Sequence, residues 1–261
     1  MMTGLYFSGT GNTKHCIETF VRCSGADNRA YSIETQGLDR LLADADVIVF
    51  GYPTCFSNAP KIVRDFIVNH KALFRRRKIF IIATMGLFSG DGAGCSARIF
   101  RKCGAKVIGG LHLRMPDCIG DSKLLKKTLK ENQSLVGQAE EKIRFAADRL
   151  KEGKPLKEGL SIFHLMAGLF GQRLWFYGKS LTYKDKPDID NKKCIGCGLC
   201  IENCPMKNLE KTDGKTVHQK QCTMCYRCVN HCPAQAITIL GENVYEQCVF
   251  EQYAIIKRNR T

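Results

Sequence analysis

No apolar stretch in this chain is long and uninterrupted enough to span a bilayer. The best candidate, Leu160 to Tyr177, is broken by His164, Gln172 and Arg173, where a membrane helix asks for about 20 apolar residues. The opening Met1-Met2-Thr3-Gly4-Leu5-Tyr6-Phe7 enters a predicted strand at once, without the charged start and apolar core of a secretory leader. Acid is scarce: 25 Asp and Glu face 40 Lys and Arg, a formal charge of +15. No nucleic-acid recognition motif and no interleaving of aromatic with basic residues accompanies that charge, so nucleic acid is not an expected partner. His15, His70 and His112 lack ligand spacing, and no acid or base stands in a catalytic pattern.

Cysteine, by contrast, is plentiful, with 15 in the chain. In a small secreted protein this would suggest a disulfide scaffold. Here Cys16, Cys23, Cys55, Cys95, Cys103, Cys118 and Cys248 are scattered without a pairing pattern, as a reducing cytoplasm allows. The rest form two runs of one design, Cys194-x2-Cys197-x2-Cys200-x3-Cys204-Pro205 and Cys222-x2-Cys225-x2-Cys228-x3-Cys232-Pro233. Zinc sites favour two separate C-x2-C pairs. Three linked steps ending in Cys-Pro instead suit cubic iron–sulfur clusters: three thiols on a tight loop reach three irons, and the fourth reaches across to the other cluster. Cys194, Cys197, Cys200 and Cys232 are thus assigned to one 4Fe-4S cluster, and Cys222, Cys225, Cys228 and Cys204 to a second. The runs form an internal repeat in which each half predicts a cluster loop, a short helix and a strand, with Asp213-Gly214 as a hairpin turn.

The N-terminal part reads differently. Leu5-Tyr6-Phe7 is followed by Ser8-Gly9-Thr10-Gly11-Asn12-Thr13 and an amphipathic stretch to about Cys23. This is strand, phosphate loop and helix: small residues let backbone N–H groups approach a phosphate, and the helix adds its positive end. The Ser8, Thr10 and Thr13 hydroxyls and the Asn12 amide are further candidate donors. A triphosphate loop would need a lysine and a dinucleotide loop G-x-G-x-x-G; with neither present, a monophosphate is expected. Apolar runs at 46–51, 78–84 and 106–111 predict parallel strands, and helices are predicted over about 60–70, 93–103 and 123–151. The alternation implies an α/β fold, a doubly wound parallel sheet whose ligand sits beyond the carboxyl ends of its strands.

With these residues in view, the phosphate loop resembles that of flavodoxins, which hold FMN, and residues 187–241 resemble a bacterial two-cluster ferredoxin domain of α+β type. Ile195, Gly196, Gly198 and Leu199 fit the packing around such a cluster. The whole chain is similar to flavodoxin–ferredoxin fusion proteins of anaerobes, which implies a flavodoxin-like domain over 1–151, a linker over 152–186, the ferredoxin domain over 187–241 and a tail over 242–261. The resemblance implies that two loops line the flavin ring: Tyr52 to Pro60, with Pro53, Thr54 and Phe56, and Met85 to Gly92, with Gly86 and Phe88, beside Thr84 at the strand end. Phe56 and Phe88 are the expected stacking rings, with Tyr52 in reserve. Met115-Pro116-Asp117 corresponds to a loop that covers the cofactor in such fusions, although Cys118 stands where asparagine is expected.

The implied function is electron transfer among FMN, two clusters of low potential, on the order of −400 mV, and a redox partner. An FMN-dependent reductase of a small acceptor (quinone, enone or flavin), fed by its own clusters, is the alternative; a third reading has the flavodoxin domain serve only for docking. Cofactor charge leaves the protein roughly +9, so runs such as Arg75-Arg76-Arg77-Lys78 suit either a solvated surface or an acidic partner. Phe163, Met166, Phe170, Leu174 and Tyr177 share one stripe of a predicted linker helix, expected to pack on the domains or else to lie on a membrane surface. The tail is expected to pack back before Lys257-Arg258-Asn259-Arg260 frays.

Overall fold

The apolar runs of the N-terminal half become strands of one parallel sheet. In the computed structural model, which describes residues 1–56, 58–170 and 186–254, β1 (Met2–Tyr6), β2 (Arg29–Ser32), β3 (Val47–Pro53), β4 (Lys78–Met85) and β5 (Lys106–Arg114) pair in the order β2-β1-β3-β4-β5. This is the flavodoxin-like order, whose switch point lies between β1 and β3. The central strands are apolar without alternation because both faces are covered. On one face α1 (Asn12–Ser24) and α5 (Leu129–Lys151) bury Ile17, Phe20, Ile143 and Ala146 against Val49 and Ile82. On the other, α3 (Lys61–Asn69) and α4 (Gly92–Lys102) enclose Phe50, Phe74 and Phe100, with Phe50 edge-on to Phe100 at 5.0 Å between ring centres. Burial of each such ring contributes about 2–3 kcal/mol. Between β2 and β3, α2 (Leu38–Leu41) is a single turn.

Two elements depart from the sequence expectation. β2 is short and half-exposed, so it lacks the apolar signature of the other strands. The helix expected over 123–151 starts at Leu129, because Thr128 caps it reciprocally with Glu131; Lys123–Leu125 forms only a 3-10 turn, with Leu124 fully in solvent. After α5, residues 156–158 run beside β5, where the Gly110 N–H donates to the Leu156 carbonyl at 2.9 Å. The described part of the linker helix is α6 (Ile162–Gly168), which packs through Gly168 on Gly90 and leaves Ile162, Phe163 and Met166 exposed. Leu174 and Tyr177 of the predicted stripe, Ser57 of the predicted flavin loop, and the tail from 255 on lie outside the described residues.

His112 on β5 is held neutral by its surroundings. Its Nε2 accepts the Ala93 N–H at 3.3 Å, and burial, the largest cause, lowers its pKa to about 4. A folded pKa below the unfolded value gives stability that is full above about pH 6.5 and is lost as pH falls toward 4. His112→Gln should therefore flatten the acid limb, cutting the wild-type loss between pH 7 and 4.5 by about 2 kcal/mol after allowance for partial solvent access. Parallel melting curves for the two proteins across that range would rule this out.

The C-terminal part holds two small antiparallel sheets. β6 (Asp188–Ile189) pairs with β9 (Ile237–Thr238), and β7 (Leu209–Thr212) with β8 (Lys215–His218). The β7–β8 turn has φ of 49° at Asp213 and 75° at Gly214, the two left-handed positions of the tight hairpin its sequence predicts. One-turn helices, Leu199–Glu202 and Arg227–Asn230, follow the cysteine loops. The internal repeat extends to the backbone: Gly196 and Met224, Gly198 and Tyr226, Lys207 and Gln235 are equivalent pairs, and all six have left-handed φ.

Candidate functional site

The phosphate loop lies where β1 meets α1. Gly11 takes a φ of 95°, open to glycine at no steric cost, and its N–H donates to Ser8 Oγ at 3.1 Å. Among the described residues no protein acceptor meets the N–H groups of Gly9, Thr10, Asn12 or Thr13, the donors that a helix N-terminus offers an anion. Ser8 accepts from Gly11 and so keeps its own hydroxyl hydrogen for a ligand. Thr13 and Thr84 share one hydrogen bond at 2.7 Å, which leaves the accepting hydroxyl with a hydrogen to give. Asn12 is more committed than expected: its amide donates to the Pro116 carbonyl at 2.8 Å, while its buried Oδ1 has no partner.

A cavity of about 870 Å³, solvent at its mouth included, opens above this loop at the carboxyl ends of β1, β3 and β4. Ten of the twelve residues predicted to hold a flavin line it: Ser8, Gly9, Thr10, Asn12, Thr13, Pro53, Thr54, Phe56, Thr84 and Gly86. Phe56 has a φ of 49°, a left-handed conformation uncommon for an aromatic residue. The other two lie apart from the lining. Gly11 shapes the loop from behind, against Phe250. Phe88 is half exposed at the tip of its loop, because Gly90 packs on Gly168 and Ser89 and Asp91 are buried, anchoring the chain just after it. Tyr52, the reserve ring, belongs to the core: it is fully buried and donates to the Gly92 carbonyl at 2.5 Å.

Besides Phe7, Cys55, Pro60 and Met85, the rest of the lining comes from two segments. One is Met115 to Ile119, the covering loop. Burial raises the Asp117 pKa within it, although Asp117 accepts the Ile119 N–H at 2.9 Å. Burial also pushes the Cys55 thiol up to about 12 and Cys118 well above its usual range, so neither is an activated thiolate. The other segment is Thr223-Met224-Cys225-Tyr226, from the second cysteine run. No sequence signal pointed to it, because the contact is made only when the two halves of the chain dock.

That docking is anchored at three points. The Arg227 guanidinium donates to both carboxylate oxygens of Glu34, at 2.8 and 2.9 Å, and to the Ser8 carbonyl at 2.8 Å. The buried Asp121 carboxylate accepts from the Tyr226 hydroxyl at 2.9 Å and from the N–H groups of Ile239, Leu240 and Gly241 at 2.6, 2.8 and 3.1 Å. The tail returns along the seam: Phe250 donates its N–H to the Thr10 carbonyl at 2.8 Å and stacks on His15. A methyl group on Gly9 would overlap the Cys225 carbonyl oxygen, so the phosphate loop and the second cysteine loop touch through their backbones.

The thiols fall into two groups. Cys194, Cys197, Cys200 and Cys232 surround one small cavity with Ile195 and Pro233. Cys222, Cys225 and Cys228 each feel the charge of Cys204. Backbone N–H groups point at the sulfurs, Asn208 to Cys204 at 3.2 Å, Met224 to Cys222 at 3.3 Å and Ala236 to Cys232 at 3.4 Å, the bonds that tune a cluster. Burial pushes Cys222 up to about 12 and raises Cys225 and Cys228; the charge of bound iron reverses such a penalty. Among the described residues no three His, Cys, Asp or Glu stand close enough to share a single ion. A cubane asks for less proximity, since each thiolate meets a different iron.

The donor sets fit both groups. Free N–H groups at the loop, the unpartnered Asn12 Oδ1, and a second buried unpartnered oxygen, Thr223 Oγ1, suit a ligand carrying phosphate, hydroxyls and a polar ring. Eight thiols in two sets suit iron–sulfur clusters.

Residues 186–233 match the 4Fe-4S dicluster domain family. A search of the curated proteins found no match. Among solved structures, the two-electron reduced flavodoxin of Megasphaera elsdenii is similar at 25% identity, covering 57% of this chain and 99% of its own, with a TM-score of 0.41. The flavodoxin of Streptococcus pneumonia (15% identity, 59% and 99% covered, TM-score 0.42) and Flavodoxin 2 of Bacillus cereus (19%, 58% and 98%, TM-score 0.41) are similar over the same part. No helix among the described residues is long and apolar enough to cross a membrane. By its strand order the N-terminal part has the flavodoxin-like α/β fold, and it is joined to a segment similar to 4Fe-4S dicluster domains.

Proposed function

We propose that the protein transfers electrons between FMN, held at the carboxyl ends of β1, β3 and β4, two 4Fe-4S clusters and a redox partner. One observation carries this reading: the cavity above the phosphate loop has the Cys222–Cys228 loop as a wall, so the two kinds of redox centre meet inside one chain. When bound, FMN exchanges electrons singly or in pairs, and the clusters take them one at a time. The protein's part is positional. Gly9, Thr10, Asn12 and Thr13 hold the phosphate through backbone N–H groups, with the Ser8 hydroxyl beside them. Pro53, Thr54 and Phe56 flank the ring, and the Met115–Ile119 loop excludes water, which strengthens polar contacts to the ligand. Fusion makes transfer to the clusters intramolecular, independent of protein concentration.

The order of carriers follows. The cluster of Cys222, Cys225, Cys228 and Cys204 lies next to the flavin. The cluster of Cys194, Cys197, Cys200 and Cys232 faces outward: Cys197 is exposed, as are Ile195 and Leu199 beside it. Lys192 and Lys193 flank that surface and are also exposed, which suits an acidic redox partner. The second cysteine loop walls the cavity and puts a cluster beside it, which favours the carrier over the reductase.

Protein prepared under argon is expected to hold one FMN and about eight iron and eight acid-labile sulfide per chain, with flavin and clusters both redox-active in an optical titration. Protein that holds iron but takes up no FMN from solution would end the flavin half of the reading. Protein with FMN and only half the iron would end the two-cluster half.

A further inference from the structure

We propose that the loop from Cys222 to Arg227 serves two redox centres at once: its thiols hold a cluster, and the hydroxyl of Thr223 hydrogen-bonds the flavin in the adjoining cavity. This rests on the FMN reading above and adds a residue that the cluster alone does not call for.

Three independent observations meet at Thr223. Its side chain lines the cavity, and its Oγ1 is buried with no hydrogen-bond partner. A buried hydroxyl left unpaired is costly, and native structures rarely leave one so. The other buried unpartnered side-chain atoms among the described residues are Thr3 Oγ1, Ser89 Oγ, His218 Nδ1 and Asn12 Oδ1. Of these only Asn12 lines the same cavity, and it belongs to the phosphate loop. Two residues with an unpartnered buried polar atom thus line one cavity, from opposite domains.

The second observation is the comparison of the two cysteine loops. They share a backbone course, but the first meets its left-handed positions with Gly196 and Gly198, at φ of 68° and 80°. The second fills the same positions with Met224 and Tyr226, at 54° and 60°, where a side chain adds strain. Both of those residues line the flavin cavity. Where the first loop places Ile195, exposed to solvent, the second places Thr223. Holding a cluster requires none of these replacements, since the first loop does without them. They occur together on the copy that faces the cavity.

Third, the loop is held on both sides of Thr223. Cys222 Sγ accepts the Met224 N–H, the Tyr226 hydroxyl is bound to Asp121, and Arg227 grips Ser8 and Glu34. A hydroxyl on so fixed a segment is pre-organised for a ligand atom. A flavin ring presents carbonyl oxygens and ring nitrogens as acceptors for it.

Thr223→Val, which keeps the shape and removes the hydroxyl, tests the assignment in the full-length protein. Thr223→Val should weaken FMN binding to anaerobically prepared, flavin-depleted holoprotein by about two- to tenfold, the weight of one neutral hydrogen bond, and should shift the flavin midpoint potential and visible spectrum. Thr223→Ser should restore all three. Iron and sulfide content and the cluster spectra should match wild type throughout. If Thr223→Val fails to assemble its clusters, Thr223→Ala, smaller and free of added bulk, carries the same measurement. Wild-type affinity and flavin potential in a Thr223→Val protein with full clusters would overturn the inference while leaving the FMN reading intact. A wild-type protein that takes up no FMN would overturn both.

Discussion

Replacing Asp121 with alanine should cost about 3–5 kcal/mol, the range for breaking a buried, fully bonded polar group. The carboxylate lies in the segment after β5 and accepts from three consecutive backbone N–H groups, Ile239 to Gly241, and from Tyr226. Alanine leaves those three N–H groups and a phenol without their shared acceptor, and the bonds from Ile239 and Tyr226 are fully buried. Asp121→Asn keeps one acceptor oxygen but turns an N–H₂ toward the donors, so it should lie between alanine and wild type. Melting under argon should fall by roughly 10 °C for the alanine variant, and limited proteolysis should cut near residue 121 and in the tail. A melting temperature within a degree of wild type would mean that Asp121 does not hold the two domains together.

The second large effect is expected at Gly9. A methyl group there would overlap the Cys225 carbonyl oxygen, and neither backbone can swing aside as a side chain could. Gly9→Ala must separate the phosphate loop from the second cysteine loop or distort one of them, at a cost of about 1–3 kcal/mol typical of overpacking. Because the clash lies between the two sites, both should respond: FMN affinity should drop at least tenfold, and electron exchange between flavin and clusters should slow. Stopped-flow reduction of the flavin, followed at flavin and cluster wavelengths, separates the two effects. Unchanged FMN affinity together with unchanged exchange would show that the loops do not touch as described.

What was legible in the sequence was what local spacing decides. Thiols spaced two residues apart on a loop, and a loop of small residues between a strand and a helix, are short-range devices; the residues that make them are neighbours in the chain. The sheet followed from apolar runs such as Val47 to Phe50, which burial on both faces requires. The β7–β8 turn followed from Asp213-Gly214 for the same local reason. What failed depended on distant parts. Phe88 looked like a ring for the flavin until the packing of Gly90 on Gly168 left it at the tip of an outward loop. Tyr52 lay on the correct strand but was claimed by the core. The start of α5 was set by Thr128 and Glu131 rather than by the lysines and leucines ahead of them. Above all, the wall formed by Thr223 to Tyr226 had no signal in its own spacing, because Met224 and Tyr226 become notable only beside their glycine counterparts in the first loop and only once the domains meet.

The returning tail bears on the order in which the molecule is completed during synthesis. Phe250 supplies the Thr10 carbonyl with its partner and covers Gly11 from behind, so the cradle at residues 8–13 stays unfinished until a segment far downstream of it has left the ribosome. The thiols emerge in between. The thiols are therefore available before the flavin seat closes, and a nascent chain stalled ahead of residue 245 should accept metal yet fail to retain the vitamin-derived cofactor.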